Sequence, residues 1–117
     1  MKEQLTDYIS SQYGSLPEKL WAKYPNYVVF RHNSNRKWFA IIMDVPYYKL
    51  GIDSDKIVNI INVKTENLLF RDLLLSKKGY FKAYHMNKEK WISILLDGSV
   101  PFEEICDLLN GSYNLTK

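Results

Sequence analysis

Apolar and polar positions alternate along this chain with two different periods. Leu5, Tyr8 and Ile9 recur at helical spacing and Gly14 follows as a stop, which predicts a first helix from about Lys2 to Tyr13. Ser15-Leu16-Pro17-Glu18 reads as a short helical turn with proline in its first position. Two runs rich in Val, Ile, Phe and Trp follow, Tyr27 to His32 and Lys37 to Asp44, and the polar Asn33-Ser34-Asn35-Arg36 between them is of hairpin type. A connection from Val45 to Asp55 leads to a third strand, Ile57 to Val63.

Thr65 reads as the cap of a second helix carrying Leu68, Leu69, Leu73 and Leu74, with Lys77, Lys78 and Gly79 as stop signals. Tyr80 to His85 and Lys90 to Leu96 form a second hairpin, broken by Asp97-Gly98-Ser99. Pro101, Glu103 and Glu104 open a last helix whose apolar face is Phe102, Ile105, Cys106 and Leu109. The expected fold class is α+β: a two-layer arrangement, with an antiparallel five-stranded sheet and helices on one face, in the order α-β(3)-α-β(2)-α.

Composition narrows this picture more than it extends it. The chain has 117 residues, a single domain's worth over 1–117, and 46% of them are apolar, which excludes disorder and collagen-like repeats. One cysteine, Cys106, forms no internal disulfide and reads as a core residue. The N-terminal Met1-Lys2-Glu3-Gln4 lacks the apolar run of a signal peptide, and no stretch approaches the ~20 apolar residues that span a bilayer. A cytoplasmic location without membrane contact is expected.

Catalytic patterns mostly fail. The five glycines stand far apart, which excludes a glycine-rich phosphate loop, and Gly98-Ser99-Val100 lacks the second glycine of a nucleophile elbow. Asp53-Ser54-Asp55 opens like a calcium loop, but Ile57 and Ile61 fall where oxygen ligands belong. His32, His85 and Cys106 are too few for a zinc site. Nothing in the spacing of Asp44 and His85 supports acid–base catalysis, and His85 reads on its own as a hydrogen-bonded structural histidine. The expectation is a protein that is not an enzyme and needs no cofactor or metal.

Charge distribution says more than the net +3. From residue 97 onward Asp97, Glu103, Glu104 and Asp107 face only Lys117, so the rest of the chain carries a net +6. Arg31, Arg36 and Lys37 cluster at the first hairpin beside His32 and Trp38. Lys77, Lys78, Lys82, Lys88 and Lys90 cluster at the second, interleaved with Tyr80, Phe81, Tyr84 and Trp91. Cations for phosphates and rings for stacking are what a nucleic-acid surface uses. The plainer reading is a solvated rim that keeps strand edges soluble.

The block Tyr84-His85-Met86-Asn87-Lys88 with Trp91, followed by Leu96-Asp97-Gly98-Ser99-Val100-Pro101, Glu104 and Ser112-Tyr113 with Leu115, resembles the MmcQ/YjbR family. Lys37-Trp38-Phe39-Ala40, Met43-Asp44-Val45-Pro46, Lys49-Leu50-Gly51 and Val63-Lys64 fit as well, so the likeness spans about residues 30–115. Lys82 replaces a common proline, Lys90 a common histidine, and Thr65-Glu66-Asn67 a Cys-Asp-Pro-like helix opening.

The resemblance implies a fold like that of type III secretion chaperones and a "double wing" of two projecting hairpins, a shape from which DNA binding has been proposed. The expected function is weakly sequence-specific binding of double-stranded DNA by a monomer. Arg31, Arg36, Lys37, Lys82, Lys88 and Lys90 are expected on phosphates, with Tyr84, His85 and Trp91 packing against the duplex. A protein- or peptide-interaction module is the alternative. A small-molecule site is a third reading, favoured if His85, Trp38 and Trp91 line one enclosed pocket.

Overall fold

Leu5 and Ile9 are fully buried on one stripe of helix α1 (Lys2–Tyr13), and the helix stops at Gly14 as its sequence requires. In the computed structural model, which describes residues 1–117, strands β1 (Val28–Arg31) and β2 (Trp38–Pro46) follow, then β3 (Ile57–Lys64), helix α2 (Leu68–Leu75), strands β4 (Tyr80–Lys82) and β5 (Trp91–Leu95), and helix α3 (Phe102–Leu115). The strands form one sheet in the order β1-β2-β3-β5-β4, every neighbouring pair antiparallel.

The two faces of this sheet are covered differently. Val28, Phe30, Ala40, Ile42, Ile61, Val63, Ile92 and Ile94 point to one side and meet Leu5, Ile9, Leu74, Ile105 and Leu109 of the three helices. On the other side Val29, Ile41, Met43, Val45, Val58, Ile60 and Leu95 form a second core, roofed by Trp21, Trp38, Tyr47, Leu50, Tyr84 and Met86. No α-helix lies over that second face. Its cover comes from the segments linking the strands, which fixes where cavities can open.

Four local readings change in the folded chain. Residues 15–18 are not a helical turn: Glu18 pairs in an antiparallel bridge with Val29, donating to and accepting from it at 3.0 and 2.9 Å. The bridge satisfies the free edge of β1, a requirement no local pattern announces. Asn67, not Thr65, caps α2, its side chain accepting from the Phe70 N–H at 2.9 Å. Thr65 instead gives both its N–H and its hydroxyl to the Lys90 carbonyl, extending the β3–β5 pairing.

α2 ends at Leu75 with Ser76 as its cap, before the expected stop signals. Gly79 answers a different need. Its φ is +92° and a Cβ there would lie 2.7 Å from Val100 Cγ2, so the turn into β4 requires a residue without a side chain. Finally, Tyr47–Leu50 forms a short 3-10 helix within the long connection between β2 and β3.

His32 is the buried histidine. Its Nε2 lies 2.6 Å from Thr116 Oγ1, and its ring packs 4.1 Å from that of Tyr113 and 5.2 Å from that of Phe39. Burial pushes its pKa below the ordinary 6.5; Lys117 and Lys37 add to this and a backbone contact from Tyr113 opposes it. The folded state therefore binds fewer protons than the unfolded chain below pH 6.5.

Stability is then full above pH 6.5 and declines as pH falls below it, before Asp97 and Glu104, with ordinary values of 3.8 and 4.5, begin to titrate. Urea unfolding between pH 8 and 5 checks this, and His32→Phe should flatten the profile. Gly79→Ala should destabilise by about 2 kcal/mol or more, through backbone strain together with the clash on Val100. Gly98→Ala, with similar φ but open space around the new methyl, should cost only the strain, about 1 kcal/mol. Equal losses in the same urea experiment would contradict the packing argument.

Candidate functional site

Strand register decides where the two hairpin turns lie. Ala40 pairs with Val63 and Lys64 with Trp91, so the start of β2, the end of β3 and the start of β5 share one end of the sheet. Both turns, 32–37 and 83–90, are at that end, with Lys64 between them. Arg31, Arg36, Lys37, Lys82, Lys88 and Lys90 are thus brought to one end of the sheet, where they do not all remain free, whereas Lys77 and Lys78, ahead of β4, lie toward the opposite end.

Glu18, held by its bridge to Val29, sits against the first hairpin. Arg31 Nε and Arg36 Nη2 each lie 3.2 Å from Glu18 Oε2, and the Arg31 guanidinium also faces the Trp38 ring at 5.8 Å. Glu18 therefore removes part of the positive charge expected at this turn. Lys77 pairs with Glu104 at 2.9 Å. Lys37, Lys82, Lys88 and Lys90 are exposed and pair with no carboxylate. Trp91 is buried, with 9% of its surface exposed, so it offers no ring to a partner.

A cavity of about 370 Å³ opens on the second sheet face, between the hairpins. Its rim depends on an irregularity in the sheet. Phe30 pairs with Ala40 but Arg31 pairs with Trp38, leaving Phe39 as an extra residue in β2. Strict alternation from Ala40 and Ile42 would send Trp38 toward the helices. The bulge instead places Phe39 in the helix-side core and Trp38 over the second face with Ile41 and Met43.

Trp21 meets the Trp38 ring edge-on at 6.0 Å and the Tyr27 ring at 5.8 Å, and Tyr24 stacks on Tyr27 at 4.7 Å. Burial, with Tyr84 and Tyr24 beside it, pushes the Tyr27 hydroxyl up to about 12, so it stays a neutral donor or acceptor at physiological pH. Met86 and His85 close the cavity from the second hairpin.

His85 is exposed and is not a hydrogen-bonded structural histidine. Its φ is +61°, an uncommon conformation for a residue with a side chain, and its ring lies 3.9 Å from that of Tyr84. Two buried polar side chains hold this geometry. Asn62 donates to the Tyr84 carbonyl at 2.9 Å, and Ser93 accepts from the Tyr84 N–H at 3.1 Å while donating to Asn62. They take over the backbone groups of Tyr84 that a longer β4 would have paired, which is why that strand ends at Lys82 and not at His85.

On the other side of the same segment lies a smaller cavity of about 190 Å³, lined by Lys49, Leu50, Lys82, Ala83, Tyr84 and Lys88. Three of these residues are lysines and none is acidic. Sequence reasoning missed Lys49 here and Trp21, Tyr24 and Tyr27 in the aromatic cavity. An aromatic residue at every third position through a polar stretch was the available signal for the latter three. Of the residues named for a small-molecule pocket, Trp38 and His85 share the aromatic cavity and Trp91 does not. No three His, Cys, Asp or Glu side chains converge anywhere as a metal site would need, and no helix is long and apolar enough to cross a membrane.

Comparison with known proteins agrees with this architecture. The uncharacterised protein YyaQ of Bacillus subtilis (strain 168) is 40% identical over 116 residues, covering 99% of this chain and 98% of YyaQ. A crystal structure of a Pseudomonas syringae protein is 42% identical, superposes with a TM-score of 0.95, and covers 100% of this chain and 99% of that one. A Deinococcus radiodurans protein with the DUF419 domain shares the fold at a TM-score of 0.67 and 24% identity, over 93% of this chain and 75% of that one. The YjbR family model matches residues 11–115, and with relatives this close along nearly its whole length the chain belongs to the YjbR family.

Proposed function

We propose that this protein is a non-catalytic nucleic-acid-binding protein that docks duplex DNA on the end of its sheet where both hairpin turns lie. The observation that carries this reading is the strand register, which brings Lys37 of the first turn and Lys82, Lys88 and Lys90 of the second to one end without carboxylate partners. Phosphate neutralisation by such cations is independent of sequence. No helix presents an array of Arg, Asn and Gln to a groove, so weak base specificity follows. The double-wing shape takes a restricted form, because Tyr84 and Met86 pack back onto the sheet while the lysines reach outward.

About four phosphates engaged by these lysines give a slope near −3.6 in log affinity against log salt, a loss of roughly 100-fold between 50 and 200 mM. Titration of a labelled duplex at the two concentrations checks it. Lys88→Glu with Lys90→Glu should weaken binding at least tenfold at 50 mM salt. Glu18→Gln, by releasing Arg31 and Arg36, should strengthen binding severalfold. No binding at low salt, or binding indifferent to the lysine pair, refutes the duplex reading.

A second reading, a protein-docking module, is favoured by α2. Leu69, Leu73 and Leu68 are 72%, 60% and 49% exposed, an unusual display for a helix with one buried residue. Leu69→Gln with Leu73→Gln should change unfolding free energy by no more than about 0.5 kcal/mol per site while reducing self-association in sedimentation. A loss above about 2 kcal/mol would mean these leucines pack within the fold and would end the docking reading.

A further inference from the structure

We infer that the aromatic cavity and the lysine cavity beside it form one composite site for a nucleoside phosphate, either free or at an unpaired position of a single strand. This goes beyond duplex docking and does not depend on it.

The two cavities are joined by chain geometry. Tyr84 lines the lysine cavity and the next residue, His85, lines the aromatic one, so the subsites lie either side of a single step of the backbone, about 3.8 Å between Cα atoms. Both open on the sheet face roofed by Leu50, Tyr84 and Met86. The segment between them is held by Asn62 and Ser93 in a conformation that costs backbone strain, as is common where a side chain must be aimed.

The chemistry of the two halves is complementary to the two halves of a nucleotide. Trp21 and Trp38 meet edge-to-face and both line the cavity, and aromatic walls of this kind suit a flat heteroaromatic ring. Its volume of about 370 Å³ lies at the small end of ligand pockets, which run from roughly 300 to 1,000 Å³. Lys49, Lys82 and Lys88 line a cavity without an acid, and their combined positive charge favours an anion there.

Two of the three tryptophans line the cavity, so intrinsic fluorescence reports occupancy, with calorimetry as an independent readout. Adenosine monophosphate should quench saturably, and adenosine should bind at least tenfold more weakly. Lys82→Glu with Lys88→Glu, both at exposed positions, should abolish that difference and leave adenosine binding unchanged. Trp38→Ala should weaken both ligands by roughly 5- to 150-fold, the effect of removing one stacking ring. Tyr24→Ala, at an exposed wall position, makes the same test if Trp38→Ala does not fold.

A short single-stranded oligonucleotide separates the sources: quenching by the oligonucleotide without quenching by the mononucleotide assigns the site to a strand, and the reverse assigns it to a free nucleotide. No saturable change with either up to about 10 mM, or equal binding of adenosine and its monophosphate, overturns the inference. Duplex binding without a response to mononucleotide or single strand sinks this inference alone. The opposite result sinks the duplex reading alone.

Discussion

Asn62 and Ser93 are the two fully buried polar side chains facing each other across β3 and β5, and the shape of the second sheet face depends on them. In a sheet otherwise lined by Val, Ile and Met, an amide and a hydroxyl without partners would each cost about 1–3 kcal/mol. They are satisfied by one another and by the N–H and carbonyl of Tyr84. That capture ends β4, folds the tip of the second hairpin back over the sheet, and turns His85 toward Trp38. Apolar residues at these positions would free the hairpin to project, and both cavities would lose a wall.

The sheet is therefore asymmetric in a useful way. Its helix side is a continuous core, with aromatic contacts among Tyr13, Phe39 and Tyr113 packed around His32. Its other side is roofed by loops that cannot close completely, because each must also satisfy its own backbone polar groups at the surface. Cavities open between the loops, and the rings and lysines around them belong to segments that meet only in the folded chain. Glu18 has a similar reach: its backbone is bridged to the edge of β1, and its carboxylate alters the charge of the first turn.

Much of the architecture was legible before folding. α1 and α3 could be read from their apolar stripes and flanking Gly14 and Pro101, and the five strands from β-branched runs separated by polar turns. The family block around Tyr84 and Trp91 belonged to the same reading. Two of its misreadings share one cause. Pro17 suits the first turn of a helix and Thr65 suits a cap, but each segment was claimed by a strand edge that needed hydrogen-bond partners. Tertiary pairing outweighs local preferences that are worth about 1 kcal/mol.

For the site, the sequence by itself determined which residue types were available: lysines at the second turn, aromatics through 21–27, and a histidine next to Tyr84. It could not determine which would meet. Trp38 faces the cavity because one extra residue in β2 reverses its side, Arg31 and Arg36 are partly neutralised by a glutamate 13 and 18 positions away, and Lys49 joins Lys82 and Lys88 through a 3-10 helix in a connecting loop. Period and composition are local properties of the chain. A bulge, an ion pair across a loop and a cavity wall are relations between distant segments, and only the tertiary structure decides them.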